Sequence, residues 1–427
     1  MSDAADRGDD GAPAARPSRS RRRRIALGVL IVALACFAVL VRWATRPQQV
    51  ASVVLSQGGR ALGLEISARG VSEYRLRGNP QIVLRDVEAR MPGDAAPVLR
   101  AERILLAMPW TTLRSRGRDL VVHRVELDAP RIDIRALQRW QATRPETTET
   151  RVPRLTDGFV VRDGRIDGDG WHVGALDVDA PTLAPAAPVR ARLRGRLVAG
   201  STRLPFDVRA TLARPADGAG LGVAGIATLV RPDWRMHFDL LARGRPRFDD
   251  GFGVDRFAMG ARARYRGGEA ALEFDLGVAG RLGYRSGLRI EPAGLVLRQG
   301  REVPDLDSAG RIRWGRELGL SLDGTMRRWP SGWPALPSPL SRPRGPLPFS
   351  LDYVGPVDFS GASRLEIRSA ATSLESAFRL PRVLEWMNAN ARGTPLPPLD
   401  ARLRTPRLDA PGMTLHGVEI EIDDGEG

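Results

Sequence analysis

The chain has no lysine; every one of its 65 basic residues is an arginine. Set among 46 glycines and 33 prolines, an all-arginine complement points to a GC-rich coding bias, so the net charge of +15 says little about a selected basic patch. The arginines are spread along the chain and do not cluster with aromatic residues, which make up only 6% of it. Single-strand binders need that interleaving, so nucleic acid is not an expected partner, whereas anionic lipid headgroups are. A single cysteine, Cys36, rules out an intramolecular disulfide. His123, His172, His237 and His416 lie far apart with no H-x-x-x-H spacing and no cysteine partner, so zinc has no signature. No G-x-S-x-G elbow occurs. No catalytic residue, cofactor or metal is expected.

There is one long apolar run. Arg21, Arg22, Arg23 and Arg24 are followed by seventeen uncharged residues, Ile25 to Val41. At the helical rise that run is about 25 Å long, near the lower limit for crossing a bilayer core. Six arginines stand just before it (Arg16, Arg19 and Arg21 to Arg24) and two just after it, Arg42 and Arg46. The positive-inside bias keeps residues 1–24, a disordered polar tail, in the cytoplasm and sends the bulk of the chain across the membrane. A cleaved signal peptide competes with this reading, because Ala33-Leu34-Ala35 has the form of a cleavage site. Cutting there would leave apolar Phe37 to Val41 at the new N-terminus, and a lipoprotein signal at Cys36 would place leucine where Ala33 stands. The expectation is an uncleaved single-pass anchor over residues 25–43, oriented by Arg21 to Arg24.

Past the anchor, Val50, Val53, Val54 and Ala61 predict a short helix ending near Gly63. From Leu64 onward helical periodicity gives way to alternating runs. Val121, His123, Val125 and Leu127 share one face. After Pro130, Ile132 and Ile134 alternate with Arg131, Asp133 and Arg135. Most clearly, Val189, Ala191, Leu193 and Leu197 alternate with Arg190, Arg192, Arg194 and Arg196. Arginines cannot be buried unpaired, so one face is wet and the other dry. The pattern recurs at Leu204 to Leu212, Leu295 to Leu297, Leu318 to Leu322 and Val418 to Ile420. A Gly267-Gly268 turn predicts a hairpin with Arg266 opposite Glu269 and Arg262 opposite Glu273. Its other face would pair Tyr265 with Ala270, Ala263 with Leu272, and Ala261 with Phe274.

Two stretches depart from the pattern. Trp329 to Pro348 holds seven prolines and reads as an extended connection or rim. Pro381 to Arg392 predicts a helix, with Val383, Leu384 and Met387 inward and Gly393 past its end. Gly220-Leu221-Gly222-Val223-Ala224-Gly225 matches G-x-G-x-x-G, but no helix opens after it and glycine is abundant. Asp163, Asp167 and Asp169 suggest a calcium loop, but Gly174 stands where the closing acid is required; they read as turn aspartates.

Several of these segments together resemble a known family. Gly63-Leu64-Glu65-Ile66 is followed by Pro80-Gln81-Ile82-Val83-Leu84-Arg85-Asp86-Val87, then Val98-Leu99-Arg100-Ala101-Glu102-Arg103-Ile104. Leu120-Val121-Val122-His123-Arg124-Val125-Glu126-Leu127-Asp128-Ala129-Pro130 completes the run. Behind an N-terminal anchor this order resembles the AsmA family of bacterial envelope proteins, over about residues 21–140. The likeness extends to Arg162-Asp163-Gly164-Arg165-Ile166 and to Pro406-Arg407-Leu408-Asp409-Ala410-Pro411-Gly412. It implies a bacterial inner-membrane protein whose periplasmic part is a long, curved antiparallel β-sheet groove. It also implies a role in outer-membrane biogenesis, with phospholipid movement between membranes and other envelope biogenesis proteins as partners. No family catalytic residue exists to carry over, and the chain is shorter than the family's large members.

The expected architecture is mainly β, an N-terminal transmembrane helix followed by a long antiparallel sheet with a few short helices. Residues 47–145 form the AsmA-like module and 146–328 a repetitive sheet region. Residues 329–348 are the Pro-rich connection, and 349–427 a C-terminal β region with a helix at 381–392. A dry face must be covered, closed on itself, or filled with something apolar. With few helices to cover it, Val125, Ile132, Ile134, Leu193, Phe206, Leu272 and Phe274 are expected to face membrane phospholipid. The competing expectations are a structural or assembly factor with no lipid inside and, more distantly, an anchored hydrolase.

Overall fold

The computed structural model describes residues 59–60, 62–75, 80–109, 121–143, 154–216, 218–247, 251–268, 270–300, 303–330, 345–388, 398–410 and 413–423, with Leu55, Leu336 and Leu340. The tail, the anchor over 25–43 and its arginines Arg21 to Arg24 lie outside the described residues. Among the described residues no helix is long and apolar enough to cross a membrane. The chain divides into Met1–Gln57 and Gly58–Gly427, and the second unit holds every element below.

Its first strands are β1 (Glu65–Arg75), β2 (Gln81–Arg90), β3 (Pro97–Ala107), β4 (Val121–Val122), β5 (Arg124–Asp128) and β6 (Arg131–Asp133), followed by helix α1 (Ile134–Ala142). Next come β7 (Arg154–Leu155), β8 (Phe159–Asp167), β9 (Trp171–Ala180), β10 (Val189–Ala199), β11 (Thr202–Leu212) and β12 (Leu221–Val230). The longest are among β13 (Trp234–Arg247), β14 (Phe252–Gly267), β15 (Ala270–Tyr284), β16 (Leu288–Arg298), β17 (Asp305–Trp314) and β18 (Leu318–Arg328). The chain continues through β19 (Leu347–Gly355), β20 (Ser363–Ser369), β21 (Thr372–Phe378), helix α2 (Leu380–Asn388), β22 (Leu399–Ala410) and β23 (Met413–Ile422).

Twenty-one of these strands form one sheet, and β4 with β7 a separate parallel pair. From β8 to β23 every strand is antiparallel to the one before it, as short turns require. The exception lies where α1 intervenes: β5 and β6 pair with β8 in parallel. A parallel pair needs a long crossover, and α1 supplies part of it. The sheet is therefore mostly, not wholly, antiparallel. Asp133 starts α1 by capping it, its carboxylate accepting from the Ala136 N–H at 2.8 Å. That cap corrects the alternating reading at this point, because Ile134 is the first helical residue and not a strand position. The strand expected from Val121 to Leu127 is likewise broken, at His123. Gly63, at φ 64°, closes the preceding helical turn as expected, with Leu64 N–H bonding the Gly59 carbonyl at 2.8 Å. Helix α2 ends its described span at Asn388; the side chains of Leu384 and Met387 lie outside the described residues.

The β14–β15 hairpin forms two residues out from the expected register. Gly267 pairs with Ala270, Tyr265 with Leu272, Ala263 with Phe274, and Arg262 with Asp275. A two-residue slip preserves the period-two faces, and Arg262 finds Asp275 at 3.5 Å where Glu273 was expected. Gly268 takes φ 55°, so the positive-φ position is one residue later.

On the wet side one lateral row alternates in sign: Asp177, Arg194, Asp207, then Ile226, Asp239, Arg262, Asp275 and Arg298 on successive strands. Opposite charges side by side fix register in a way that a flat polar face would not. The core gathers at the two ends of the sheet. Ile82, Leu84, Val87 and Val98 are buried at one. Leu306, Met326, Leu347, Phe349, Ile367 and Leu403 are buried at the other. The Pro-rich connection is more than a rim, because its Leu336 and Leu340 belong to that second cluster.

Candidate functional site

Laterally paired residues lie on the same face of a sheet, so the pairing registers trace the dry face strand by strand. Its central row runs Leu84, Ile104, Leu127, Val161, Val178, Leu193, Val208, Gly225 and Leu240. It continues through Ala261, Leu276, Leu297, Leu306 and Met326 to Leu347. Fifteen strands are crossed without one polar side chain. A second row alternates large and small: Phe206, Ala227, Phe238, Ala263 and Phe274. The smallest residues sit deepest, with Ala263 fully buried. Gly195 continues the alternation, because a Cβ there would lie 2.9 Å from the Phe206 ring.

Six of the seven expected residues fall on this face. Leu193 is in the central row, Phe206 and Phe274 in the second, and Leu272 pairs with Tyr265 in a third. Val125 sits two positions from Leu127 and pairs with Phe159. Ile132 joins through Ile166 and Val173 to Leu197, which shares the face of Leu193 in β10. Ile134 belongs to α1 and does not join them.

The face is unevenly covered. In β9 to β15 the buried apolar side chains described are Ala180, Ala227, Pro246, Val254, Ala261 and Ala263, with Ala219 in a connection. Every large side chain named above in those strands, Leu193, Phe206, Phe238, Leu240, Phe274 and Leu276, is only half-buried. Leu336 and Leu340 join the buried cluster around Met326, to which Leu193, only half-buried, does not belong.

Long-range contacts bend the sheet. Trp171 begins β9 and Tyr284 ends β15; in a flat sheet six strand spacings alone would separate them by about 29 Å, before their offset along the strands is added. Yet the Trp171 indole N–H donates to the Tyr284 hydroxyl at 3.1 Å, with the rings edge-to-face at 5.8 Å. Gly168 has no side chain to obstruct the Trp171 ring, which a Cβ would meet at 2.2 Å. Both residues lie on the dry face, so this stretch bends toward it. Gln138 of α1 donates to the Arg285 carbonyl at 2.9 Å, beside the same contact. Further along, Arg231 in the β12–β13 turn is ion-paired with Asp358 between β19 and β20. No local pattern announces these contacts, since their partners are more than a hundred residues apart.

Burial alone would push the Asp358 carboxyl up. The Ser360 hydroxyl and N–H and the Arg231 charge outweigh it and hold the group below the usual carboxylate range. A lowered folded-state pKa gives stability that is present above the unfolded value and lost as pH falls through the folded one. Asp358→Asn is therefore expected to be less stable than the parent near pH 7, with the gap closing as pH falls below the usual carboxylate range. Denaturant midpoints at stepped pH check this, and a pH-independent gap would assign the loss to packing.

The rejected motifs are accounted for. Gly220 to Gly225 runs into strand β12, where Gly225 lets the Asp207 carbonyl approach to 2.3 Å of where a Cβ would stand. Asp167 pairs with Arg165 and Asp169 with Arg135, both at 2.7 Å. Among the described residues no group of three His, Cys, Asp or Glu could hold a metal ion. No family model matches this chain, and neither does any curated protein or solved structure.

Proposed function

We propose that the chain is a single-pass bacterial inner-membrane protein whose periplasmic sheet is a curved groove that holds phospholipid acyl chains. In this role it assists phospholipid movement between membranes in outer-membrane biogenesis. The observation that carries the reading is the fifteen-strand apolar row, buried near Met326 and only half-buried near Leu193. Half-buried leucines and phenylalanines in a continuous row present non-directional contacts along which an acyl chain can slide. The bend toward the dry face makes that row the floor of a trough, and the arginine–aspartate ladder keeps the outside wetted. The resemblance to the AsmA family supports the same reading.

One observation favours the alternative, a structural or assembly factor for outer-membrane proteins. The Trp171–Tyr284 and Arg231–Asp358 contacts partly close the sheet on itself. The incomplete burial of the apolar side chains between those closures favours lipid. Full-length protein extracted in a mild detergent is expected to carry phospholipid in roughly stoichiometric or greater amount after exhaustive exchange into a lipid-free detergent. Phosphorus analysis decides: protein that is folded and free of lipid would leave the assembly-factor reading standing.

A further inference from the structure

Arginine stands directly opposite arginine at several places on the wet face, Arg192–Arg209 and Arg235–Arg266 among them. At the end of the sheet where residues 285–287 and 315–317 turn, Arg289 of β16 stands directly opposite Arg313 of β17. Like charges directly opposite each other destabilise a sheet. Both side chains are exposed, and neither has an ion-pair or hydrogen-bond partner among the described residues. Arg316 adds a third positive charge in the adjoining turn, while Glu291 and Glu317 are the nearby acids in sequence and both are exposed. The arginine pair is flanked on both sides by glycine, Gly283 on β15 and Gly319 on β18. A Cβ at Gly283 would meet nothing within 4 Å, and one at Gly319 nothing closer than 3.8 Å. Two guanidinium groups thus stand on an open, bare stretch of backbone.

The dry side of the same edge has the complementary chemistry. Tyr284, Leu288, Trp314 and Leu318 pair laterally one residue away from the arginine row. The Trp314 indole N–H is buried and has no hydrogen-bond partner among the described residues. Tryptophan and tyrosine beside aliphatic side chains, with arginine just beyond, is the composition of a membrane–water interface. Guanidinium pairs suit phosphate oxygens, which accept charge-assisted hydrogen bonds from several N–H groups at once.

We infer that Arg289 and Arg313 bind the phosphate of an anionic phospholipid whose acyl chains pass Leu288 and Trp314 onto the apolar face. This rests on the acyl-chain reading above and adds the headgroup class and the place of entry. The fold does not need the two charges, so Arg289→Gln/Arg313→Gln should match or raise the parent's unfolding midpoint.

The test uses the full chain in neutral detergent micelles. Equilibrium binding is measured for phosphatidylglycerol and for diacylglycerol with the same acyl chains, with inorganic phosphate as competitor. The parent is expected to favour phosphatidylglycerol by about tenfold or more, the size of losing charge-assisted hydrogen bonds. The double variant should lose that preference and keep its diacylglycerol binding, and millimolar phosphate should not displace the lipid. An unchanged preference in the double variant overturns the site. Displacement of phosphatidylglycerol by phosphate alone overturns the headgroup assignment in favour of a free-phosphate site. Failure of the parent to bind diacylglycerol overturns the acyl-chain reading itself. Phosphate binding that the variant loses would then show the arginine pair to be an anion site without a lipid, again against the assignment made here.

Discussion

Met326→Asp is expected to unfold the chain, whereas the same charge at Leu193 should leave it folded and strip it of lipid. The two residues belong to one row of one face, eight strand spacings apart from β10 to β18. Met326 is 4% exposed, packed with Leu306, Leu340, Leu347 and Phe349. A carboxylate there has no water and no partner, and the penalty of several kcal/mol rivals a total stability of about 5–15 kcal/mol. Leu193 is half-buried and lies outside that cluster. In the lipid-free chain water reaches a carboxylate there, and the loss is part of a leucine's burial, about 1 kcal/mol. In a trough filled with acyl chains that water is gone, so the lipid leaves or the charge does. Denaturant midpoints of lipid-free protein and phosphorus per chain separate the two effects. Equal destabilisation by both variants would mean that the face is covered at Leu193 as it is at Met326. Full retention of lipid by Leu193→Asp would remove Leu193 from the lipid-facing surface.

The two-faced sheet was legible because alternation in β10 is uninterrupted: four arginines outward, with Val189, Ala191, Leu193 and Leu197 on the other side. Elsewhere the alternation slips by one residue inside a strand. In β8 the apolar positions are Phe159 and Val161, then Ile166; in β9 they are Trp171 and Val173, then Leu176 and Val178. At each slip stands a non-glycine residue with positive φ, Asp163 at 50° and Ala175 at 48°. Asp86, Ala129 and Arg256 do the same in β2, between β5 and β6, and in β14. Such bulges restore the dry side without changing the sequence's look, and neither alanine nor arginine advertises a positive φ. Ile134 was misplaced for a related reason, since alternation carried straight on through a cap that only Asp133 marks. The hairpin register was legible modulo two, because the faces constrain parity and the turn had two adjacent glycines to choose from. Leu336 and Leu340 could not be assigned to the core from sequence, as proline density hides which side of an extended segment is buried. The arginine pair at Arg289 and Arg313 was equally hidden, because lateral pairing depends on the slip between Ile290 and Ala293.

Gly310→Ala is expected to cost about 2–6 kcal/mol, the sum of backbone strain and overpacking of about 1–3 kcal/mol each. Gly310 has φ 157°, and a Cβ there would lie 1.9 Å from the Ser321 carbonyl oxygen of β18. That neighbour is backbone, so no rotamer change relieves it; β17 and β18 would have to part and break their ladder. Gly280 repeats the geometry, 2.1 Å from the Pro292 carbonyl, and both glycines pair with Ala293 beside the β16 bulge. The glycines therefore act where register shifts and neighbouring backbones crowd, and the bend of the dry face depends on tolerating that crowding. Gly260 provides the control. It is exposed, and a Cβ there would meet nothing within 4 Å. Gly260→Ala should be neutral or stabilising by up to about 1 kcal/mol through the unfolded chain's lost freedom. Unfolding midpoints of the two variants decide. If Gly310→Ala proves as harmless as Gly260→Ala, the strands at that point are not in close contact, and the bend must be held by the Trp171–Tyr284 and Arg231–Asp358 contacts alone.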